Sequence, residues 1–340
     1  MKLIHIIGGN PHGGAEKFCE DLVSSLSRRG IEQHIITRPY EERVSLFMNL
    51  GCAVSTLRLG KIWDILSRTK VNRIINKTNP DIILGWMSRG ASYIPYHSCL
   101  KIGRLGGYYN LKNFRHCDRL ICNTTHLVDY CIKSGWPSDK VHYIPNFSPI
   151  NTFTPLNRKD FDIPNDSIIV LVLSRLEERK GIDLAIRAVS KIPHSFLLIA
   201  GEGSLEPSLN SLSRELNLEK RVRFLGWRKD RDALLNLADV CLITSHEEPF
   251  GNVVLNCWVS KTPVISTKTE GPGFLIGENR NGILVPIDDA DAIASSIISL
   301  NNSEELETKI VENGWEEANN TFSEDNIVSA YVDFFNRYCK

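Results

Sequence analysis

Two doubly wound α/β domains are the architecture this sequence predicts, and three observations predict it. Short apolar runs alternate with stretches of helical period almost throughout, which is the pattern of parallel βαβ units. The alternation stops once, across a Pro-, Asn- and Thr-rich segment at 147–157 that reads as a linker, and then restarts. The chain has 340 residues, enough for two domains that each bury a core of their own.

The first half opens with an apolar run at 2–7 that ends on Gly8-Gly9, followed by a helical period over 15–29. Further runs at 33–37, 53–57, 82–84, 101–105, 120–122 and 141–144 read as strands, with helices over 63–77 and 125–134 between them. After Pro145-Asn146 and the linker, strands are expected at 168–173, 196–200, 222–225, 240–243, 263–265 and 283–285. Helices fall at 181–191, 205–216, 231–237, 252–259 and 290–300. The tail, 303–339, is helical in pattern and carries an aromatic face of Phe322, Tyr331, Phe334, Phe335 and Tyr338. The expected divisions are an N-terminal domain over 1–150, a second domain over 151–322, and a terminal helix over 323–340 that packs back on the first. Ligands of open parallel sheets sit beyond the carboxyl ends of the strands, so the expected site is a cleft where two such domains face each other.

Composition is that of a globular protein, 42% hydrophobic and 24% charged, with Lys+Arg 40 balancing Asp+Glu 40. The balance conceals an asymmetry: residues 1–150 hold 20 Lys+Arg against 11 Asp+Glu, and residues 151–340 hold 20 against 29. A basic first half suits an anionic partner such as a membrane surface or a phosphorylated acceptor; equally, the two halves attract each other. No nucleic-acid partner is expected. Nine cysteines are scattered without C-x-x-C spacing, which signals neither a disulfide framework nor a zinc site and implies a reducing cytoplasm. No apolar run reaches the ~20 residues of a membrane span, and Gly8-Gly9 breaks the first run too early for a signal peptide. The expectation is a cytoplasmic protein with peripheral contact at the inner face of a membrane.

The candidate chemistry lies in loops that follow strands. Gly8-Gly9-Asn10-Pro11-His12-Gly13-Gly14-Ala15-Glu16 opens the first helix, and its glycines let backbone amides approach a phosphate or a sugar. Its spacing is not G-x-G-x-x-G, and a Gly-rich βα turn without a ligand is the other reading. Ser174-Arg175-Leu176 closes the first strand of the second half, and Lys180-Gly181 opens the next helix. Arg175 offers bidentate donors and Lys180 a compact charge, as a diphosphate requires; with Glu177, Glu178 and Arg179 beside them, a solvated charge run reads equally well. Gly201-Glu202-Gly203-Ser204 is another strand-to-helix turn. The most informative stretch is Glu247-Glu248-Pro249-Phe250-Gly251-Asn252, which leads through a helix to Asn256. It brings carboxylates, free backbone amides and a helix N-terminus to one point, the groups that hold a ligand with hydroxyls at one end and phosphates at the other.

With Pro263-Val264-Ile265-Ser266 and the loop 269–276 downstream, these stretches resemble the family-4 (group 1) retaining glycosyltransferases, which have the GT-B fold of two Rossmann-like domains facing across a cleft. The resemblance runs over nearly the whole chain and is strongest over 174–287. It implies that Glu248, the first Glu of the family's Glu-x7-Glu signature, touches hydroxyls of the donor sugar. Phe250 and Gly251, with Asn252 at the helix start, pass backbone groups to the donor. Loop amides near Gly271 and Gly273 meet the sugar or the phosphates, Arg175 and Lys180 bind the diphosphate, and Gly203 lines the nucleoside pocket. Gly13, Gly14 and Glu16 lie beside the donor diphosphate and the acceptor. Two departures stand out. The second Glu, which accepts from the ribose hydroxyls, is Asn256 here; it accepts and donates but carries no charge, so weakened ribose binding is expected. The stretch matching the family's N-domain His loop, Arg104-Leu105-Gly106-Gly107-Tyr108-Tyr109-Asn110, contains no His, which leaves His12 as a candidate contact.

The function so implied is sugar transfer, with retention, from a nucleoside diphosphate sugar to a glycan or lipid-linked acceptor, as in cell-surface polysaccharide or lipopolysaccharide synthesis. Glu248, Arg175 and Lys180 are the catalytic candidates. No metal or resident cofactor is expected, since no Asp-x-Asp element stands out and cations with helix dipoles stabilise a departing diphosphate. Because of Asn256 and the missing His, a non-catalytic nucleotide-sugar-binding protein is the alternative. A GT-B epimerase acting on the nucleotide sugar is a third reading.

Overall fold

A computed structural model of the chain describes residues 1–11, 13–60, 64–277 and 279–339. The expected contact His12 and the expected start of a helix at Trp63 lie outside them. The chain divides into two compact units, Met1–Phe147 with Glu324–Lys340, and Ser148–Ser323. The divide falls a few residues before the expected position 150, and the terminal helix belongs to the first unit.

In the first unit the strands are β1 Lys2–Ile7, β2 Glu32–Thr37, β3 Ala53–Thr56, β4 Ile82–Trp86, β5 Leu100–Leu105, β6 Arg119–Cys122 and β7 Val141–Tyr143. All pair in parallel, in the order β3-β2-β1-β4-β5-β6-β7. The central strands are buried on both faces, so they read as continuous apolar runs and not as alternating ones. The helices are α1 Gly14–Arg28, α2 Glu41–Asn49, α3 Ile65–Thr78, α4 Met87–Ser92 and α5 Thr125–Lys133. Sequence periodicity does not single out α2 or α4. The first is short and buries only Arg43 and Phe47, and the second begins directly at the end of β4, on Met87 with φ 54°, without a turn residue to announce it.

The second unit holds β8 Ile168–Leu173, β9 Ser195–Ala200, β10 Val222–Gly226, β11 Val240–Ile243, β12 Val264–Thr267 and β13 Ile283–Val285, again all parallel, in the order β10-β9-β8-β11-β12-β13. Its helices are α6 Ile182–Ser190, α7 Glu206–Glu215, α8 Arg231–Leu237, α9 Asn252–Val259, α10 Glu270–Leu275, α11 Ala290–Asn301 and α12 Glu304–Asn319. The unpredicted α10 contains Gly271, Pro272 and Gly273, residues that read as a loop in sequence. Each sheet reverses its strand order once, between β1 and β4 and between β8 and β11. Those reversals are where open α/β sheets leave room for a ligand beyond the strand ends.

The helical tail divides at residues 320–323, and α13, Glu324–Tyr338, completes the first unit. Its Ile327, Val328, Tyr331, Phe334 and Phe335 join the core formed by α1 and strands β1, β2, β4 and β5. Arg28 pairs with Glu324 and Arg29 with Asp325, which fixes α13 along α1. Phe322 does not share that aromatic face: it lies in the second unit, its ring 5.9 Å from that of Trp258. Among the described residues no helix is long and apolar enough to cross a membrane, and the cysteines are free thiols.

Candidate functional site

The loops after β8 and β11, at the reversal point of the second sheet, carry the predicted charged residues. β8 ends at Leu173 and the chain runs through Arg175 to a short 3-10 turn, Glu178–Lys180, capped by Gly181 at φ 56°. A side chain at Gly181 would meet the Thr244 carbonyl, so the left-handed glycine lets the two loops close on each other. They are stitched there: Thr244 Oγ1 donates to the Lys180 carbonyl at 3.0 Å, and the His246 amide to the Arg179 carbonyl at 2.9 Å.

This stitching brings Lys180 Nζ onto the Glu248 carboxylate in a direct ion pair, with both side chains mostly buried. The cation assigned to phosphate and the carboxylate assigned to sugar hydroxyls therefore meet at one point. Arg175 is placed differently. It is 40% exposed and pairs with Glu177 at 2.6 Å, which leaves its guanidinium on the rim. An exposed pair of that kind is weak, so Arg175 is available to a stronger anion.

Glu248 is held from behind by α10, whose Gly271 amide donates to the Glu248 carbonyl at 2.8 Å. Any side chain on Gly271 would strike the Phe250 backbone. Phe250 is buried, and Gly251, at φ 92°, caps the N-terminus of α9 with no side-chain cap, so the helix starts, with its positive dipole end, directly after the Glu248 loop. The Gly273 amide is also engaged, with the Thr269 carbonyl at 2.8 Å. Gly271 and Gly273 thus give shape to the loop, and their amides are not free donors.

Gly203 is exposed and has a structural duty of its own. The Gly201–Gly203 turn lies against the backbone of Ser174–Leu176, where a side chain on either glycine would collide. Asn256, on the second turn of α9, is 8% exposed, and its Oδ1 accepts a hydrogen bond from Ser148 Oγ at 2.9 Å. Sequence reasoning missed Ser148, because a serine at the edge of a linker carries no signal until the fold sets it beside α9.

The remaining candidates lie in the first unit. Gly13 is the N-cap of α1 and Gly14 its first residue. Glu16 is buried, and its carboxylate accepts from the Asn10 amide at 2.9 Å and lies against Gly9 and Gly13. It braces the glycine loop and complements the helix dipole. Arg43 holds the same loop by donating to the carbonyls of Asn10 and Pro11, each at 2.8 Å. Among the described residues no cluster of His, Cys, Asp and Glu could hold a metal ion. A hollow of about 350 Å³ lies at the other, amino-terminal end of β8, lined by residues including Arg158 and Asp239. Those two charges satisfy each other at 2.9 Å, so it offers a ligand little.

Residues 153–317 match the family described as glycosyl transferases group 1, and residues 12–150 match glycosyltransferase family 4. The chain is 34% identical to the lipopolysaccharide core biosynthesis glycosyltransferase LpsE of Rhizobium meliloti, over 98% of each protein. It is 32% identical to LpsD of the same organism, described in the same words, over 99% of this chain and 98% of the other. The crystal structure of Anabaena HepE in complex with UDP and glucose superposes with a TM-score of 0.86 at 20% identity, covering 99% of this chain and all of that one.

Proposed function

The chain belongs to the group 1, family-4 glycosyltransferases, has the GT-B fold and is a glycosyltransferase; we propose that it moves a sugar, with retention, from a nucleoside diphosphate sugar to a glycan or lipid-linked acceptor. The relatives named for lipopolysaccharide core synthesis support an acceptor in cell-surface polysaccharide, and the UDP bound to HepE supports UDP as the donor nucleotide. Peripheral contact with an anionic membrane belongs to the same reading.

The observation that carries it is the contact of Lys180 with Glu248 at the strand-order reversal of the second unit, with Arg175 on the rim. In the proposed reaction the anomeric carbon–oxygen bond to the diphosphate breaks while a bond forms to the acceptor hydroxyl, whose proton passes to the departing phosphate oxygen. Arg175, Lys180 and the α9 N-terminus stabilise the charge that develops on the diphosphate. Lys180 then leaves Glu248 for the phosphates, which frees the carboxylate to accept from sugar hydroxyls. Asn256 lies along the same helix and holds the ribose.

The test is UDP binding and sugar transfer by the whole chain. Arg175→Ala and Lys180→Ala should each weaken UDP binding about tenfold or more, as loss of a charge-assisted hydrogen bond does; the melting temperature should be kept in Arg175→Ala, whose side chain is exposed, and fall in Lys180→Ala, which leaves the mostly buried Glu248 carboxylate unpaired. Unchanged affinity would remove the assignment. Tight donor binding with neither transfer nor hydrolysis across a panel of acceptors would favour the non-catalytic alternative, which rests on Asn256 standing where the family has Glu and on the missing His of the N-domain loop.

A further inference from the structure

The carboxyl edge of the first sheet gathers arginines around the loop that follows β1. The strands there run in the order β3-β2-β1-β4, and β1 leads into the glycine loop. Each of the three flanking strands is followed within three residues by an arginine: Arg38 after β2, Arg58 after β3 and Arg89 after β4. Adjacent strands of a sheet lie ~4.8 Å apart, so the four strand ends span only ~15 Å. Side-chain contacts join these arginines to the loop and to one another. Arg89 Nη1 donates to the Gly8 carbonyl at 2.9 Å, and its stem packs so closely that a Cβ on Gly8 would meet Arg89 Cδ at 2.7 Å. Arg43, from α2, holds the Asn10 and Pro11 carbonyls and lies 5.4 Å from the Tyr40 ring centre. Arg38 lies 5.5 Å from the same ring centre, and its Nε donates to the Arg58 carbonyl at 3.2 Å.

These cations are not equal. Arg43 is buried and its charge is met by Glu20 at 3.0 Å, so it is a brace for the loop. Arg38, Arg58 and Arg89 form no ion pair among the described residues. Glu16 is spent on the Asn10 amide, and Asp64 on the amides of Gly60 and Ser67. Glu41 and Glu42 open α2, where they complement its dipole, while Arg38 is held on Tyr40 and the Arg58 carbonyl and not on either of them. A guanidinium has five N–H donors, and the contacts above use one on Arg38, one on Arg89 and none on Arg58, whose side chain is exposed. Like charges brought together repel, while the field they sum draws an anion to the edge.

We propose that this edge holds a phosphate ester carried by the acceptor sugar, with Arg38, Arg58 and Arg89 as its counter-charges. A phosphomonoester carries close to two negative charges at pH 7 and three acceptor oxygens, which guanidinium forks meet in pairs. A carboxylate offers half that charge and two oxygens. The strand-order reversal between β1 and β4 leaves room for a ligand beyond the strand ends, and the three arginines flank that point. Calling the ligand an acceptor rests on the transfer reading. That reading assigns the donor diphosphate to Arg175 and Lys180, so the phosphate here is a different one.

The test is calorimetry of the full chain with glucose 6-phosphate, glucuronate and glucose at millimolar sugar, with and without saturating UDP. Glucose 6-phosphate should bind about tenfold more tightly than glucose, the effect of charge-assisted bonds, and more tightly than glucuronate. Arg38→Gln and Arg58→Gln should each lower that preference about threefold, and together abolish it, with UDP affinity unchanged. Arg58→Gln should also keep the melting temperature, since the side chain it replaces is exposed. Lys133→Gln removes an equal charge from the exposed end of α5 and should leave the preference intact. Glucose 6-phosphate bound no better than glucose or glucuronate overturns the proposal. So does a preference that survives the double variant, or one that Lys133→Gln removes equally. Loss of glucose 6-phosphate binding when UDP is present also overturns it, by giving the phosphate to the donor site. UDP binding with sugar transfer but no phosphate preference would sink this inference alone. Phosphate preference in a chain that binds no UDP would keep the arginine edge and sink the transfer reading instead.

Discussion

Asn256 tests how far one substitution alters a nucleotide site. Its Oδ1 is already taken up by Ser148 Oγ, and an amide is a weaker acceptor than a carboxylate. A carboxylate there accepts from Ser148 and from a ribose hydroxyl at once. Asn256→Glu should therefore tighten UDP binding about three- to tenfold, on the scale of one improved hydrogen bond, read by calorimetry. Equal or weaker binding would show that the site is adapted to Asn, or that the ribose lies elsewhere. His5 bears on stability rather than on the site. It is fully buried, and burial pushes its pKa down to about 3, against a hydrogen bond with Gln33 that acts to raise it. The Trp86 indole donates to its Nδ1 at 3.0 Å, so Nε2 carries the proton toward Gln33 Oε1. The folded state holds His5 neutral while the unfolded chain takes up a proton below its ordinary value near 6.5. His5 thus contributes no pH dependence above 6.5 and a loss of stability as pH falls from there toward 3, with a limiting slope of about 1.4 kcal/mol per pH unit. Urea unfolding of wild type and His5→Gln between pH 7 and 5 should show a shallower slope for the variant; identical slopes would assign the acid loss to other groups.

At the scale of elements, α13 is part of the first unit's core rather than an appendage. Phe335 is fully buried there among residues of α1 and the sheet. Phe335→Ala should cost about 3–5 kcal/mol by lost transfer energy and cavity formation, seen as a lower urea midpoint. A loss under about 1 kcal/mol would mean that the core closes over the gap. The aromatic spacing of Tyr331, Phe334 and Phe335 made this helix legible, whereas Phe322, in the same stretch, goes to the other unit because the chain turns at 320–323. The strands were legible because parallel strands buried on both faces must be apolar throughout. α10 was not, since Gly271 and Gly273 read as loop, and only the packing of Gly271 against Phe250 shows why glycine stands in a helix there. Of the candidate site, the types and places of Arg175, Lys180 and Glu248 followed from strand ends and helix starts. The Lys180–Glu248 pair did not, because 68 residues separate them and only the parallel pairing of β8 with β11 joins their loops.

At the scale of the whole molecule, the excess of basic residues over 1–150 is the feature left to interpret, and the structure narrows which of them face outward. Arg28 and Arg29 are engaged with Glu324 and Asp325 of α13. Arg68 donates to the Ser92 carbonyl at 2.8 Å and lies over the Tyr93 ring. Lys61 lies outside the described residues. Lys70 and Arg73 remain exposed on α3, with Lys77. Their spacing places all three on one stripe of the helix with Leu66, while Val71 and Ile75 turn to the core. Leu66 and its neighbour Ile65 are 77% and 67% exposed, large apolar groups at the head of a basic stripe. That combination suits the interface of an anionic bilayer, where each basic residue contributes about 1 kcal/mol and apolar side chains enter the headgroup layer. The first unit should therefore bind vesicles rich in an anionic lipid, and binding should fall between 0.05 and 0.5 M salt as screening shortens to less than ~10 Å. Lys70→Glu with Arg73→Glu should remove most of the binding, and Leu66→Ser should weaken it at every salt concentration, since apolar insertion is not screened. Arg28→Ala should change little, because its charge is spent on Glu324. Salt-independent binding, none at all, or an effect of Arg28→Ala equal to that of the α3 pair would deny this face a membrane role.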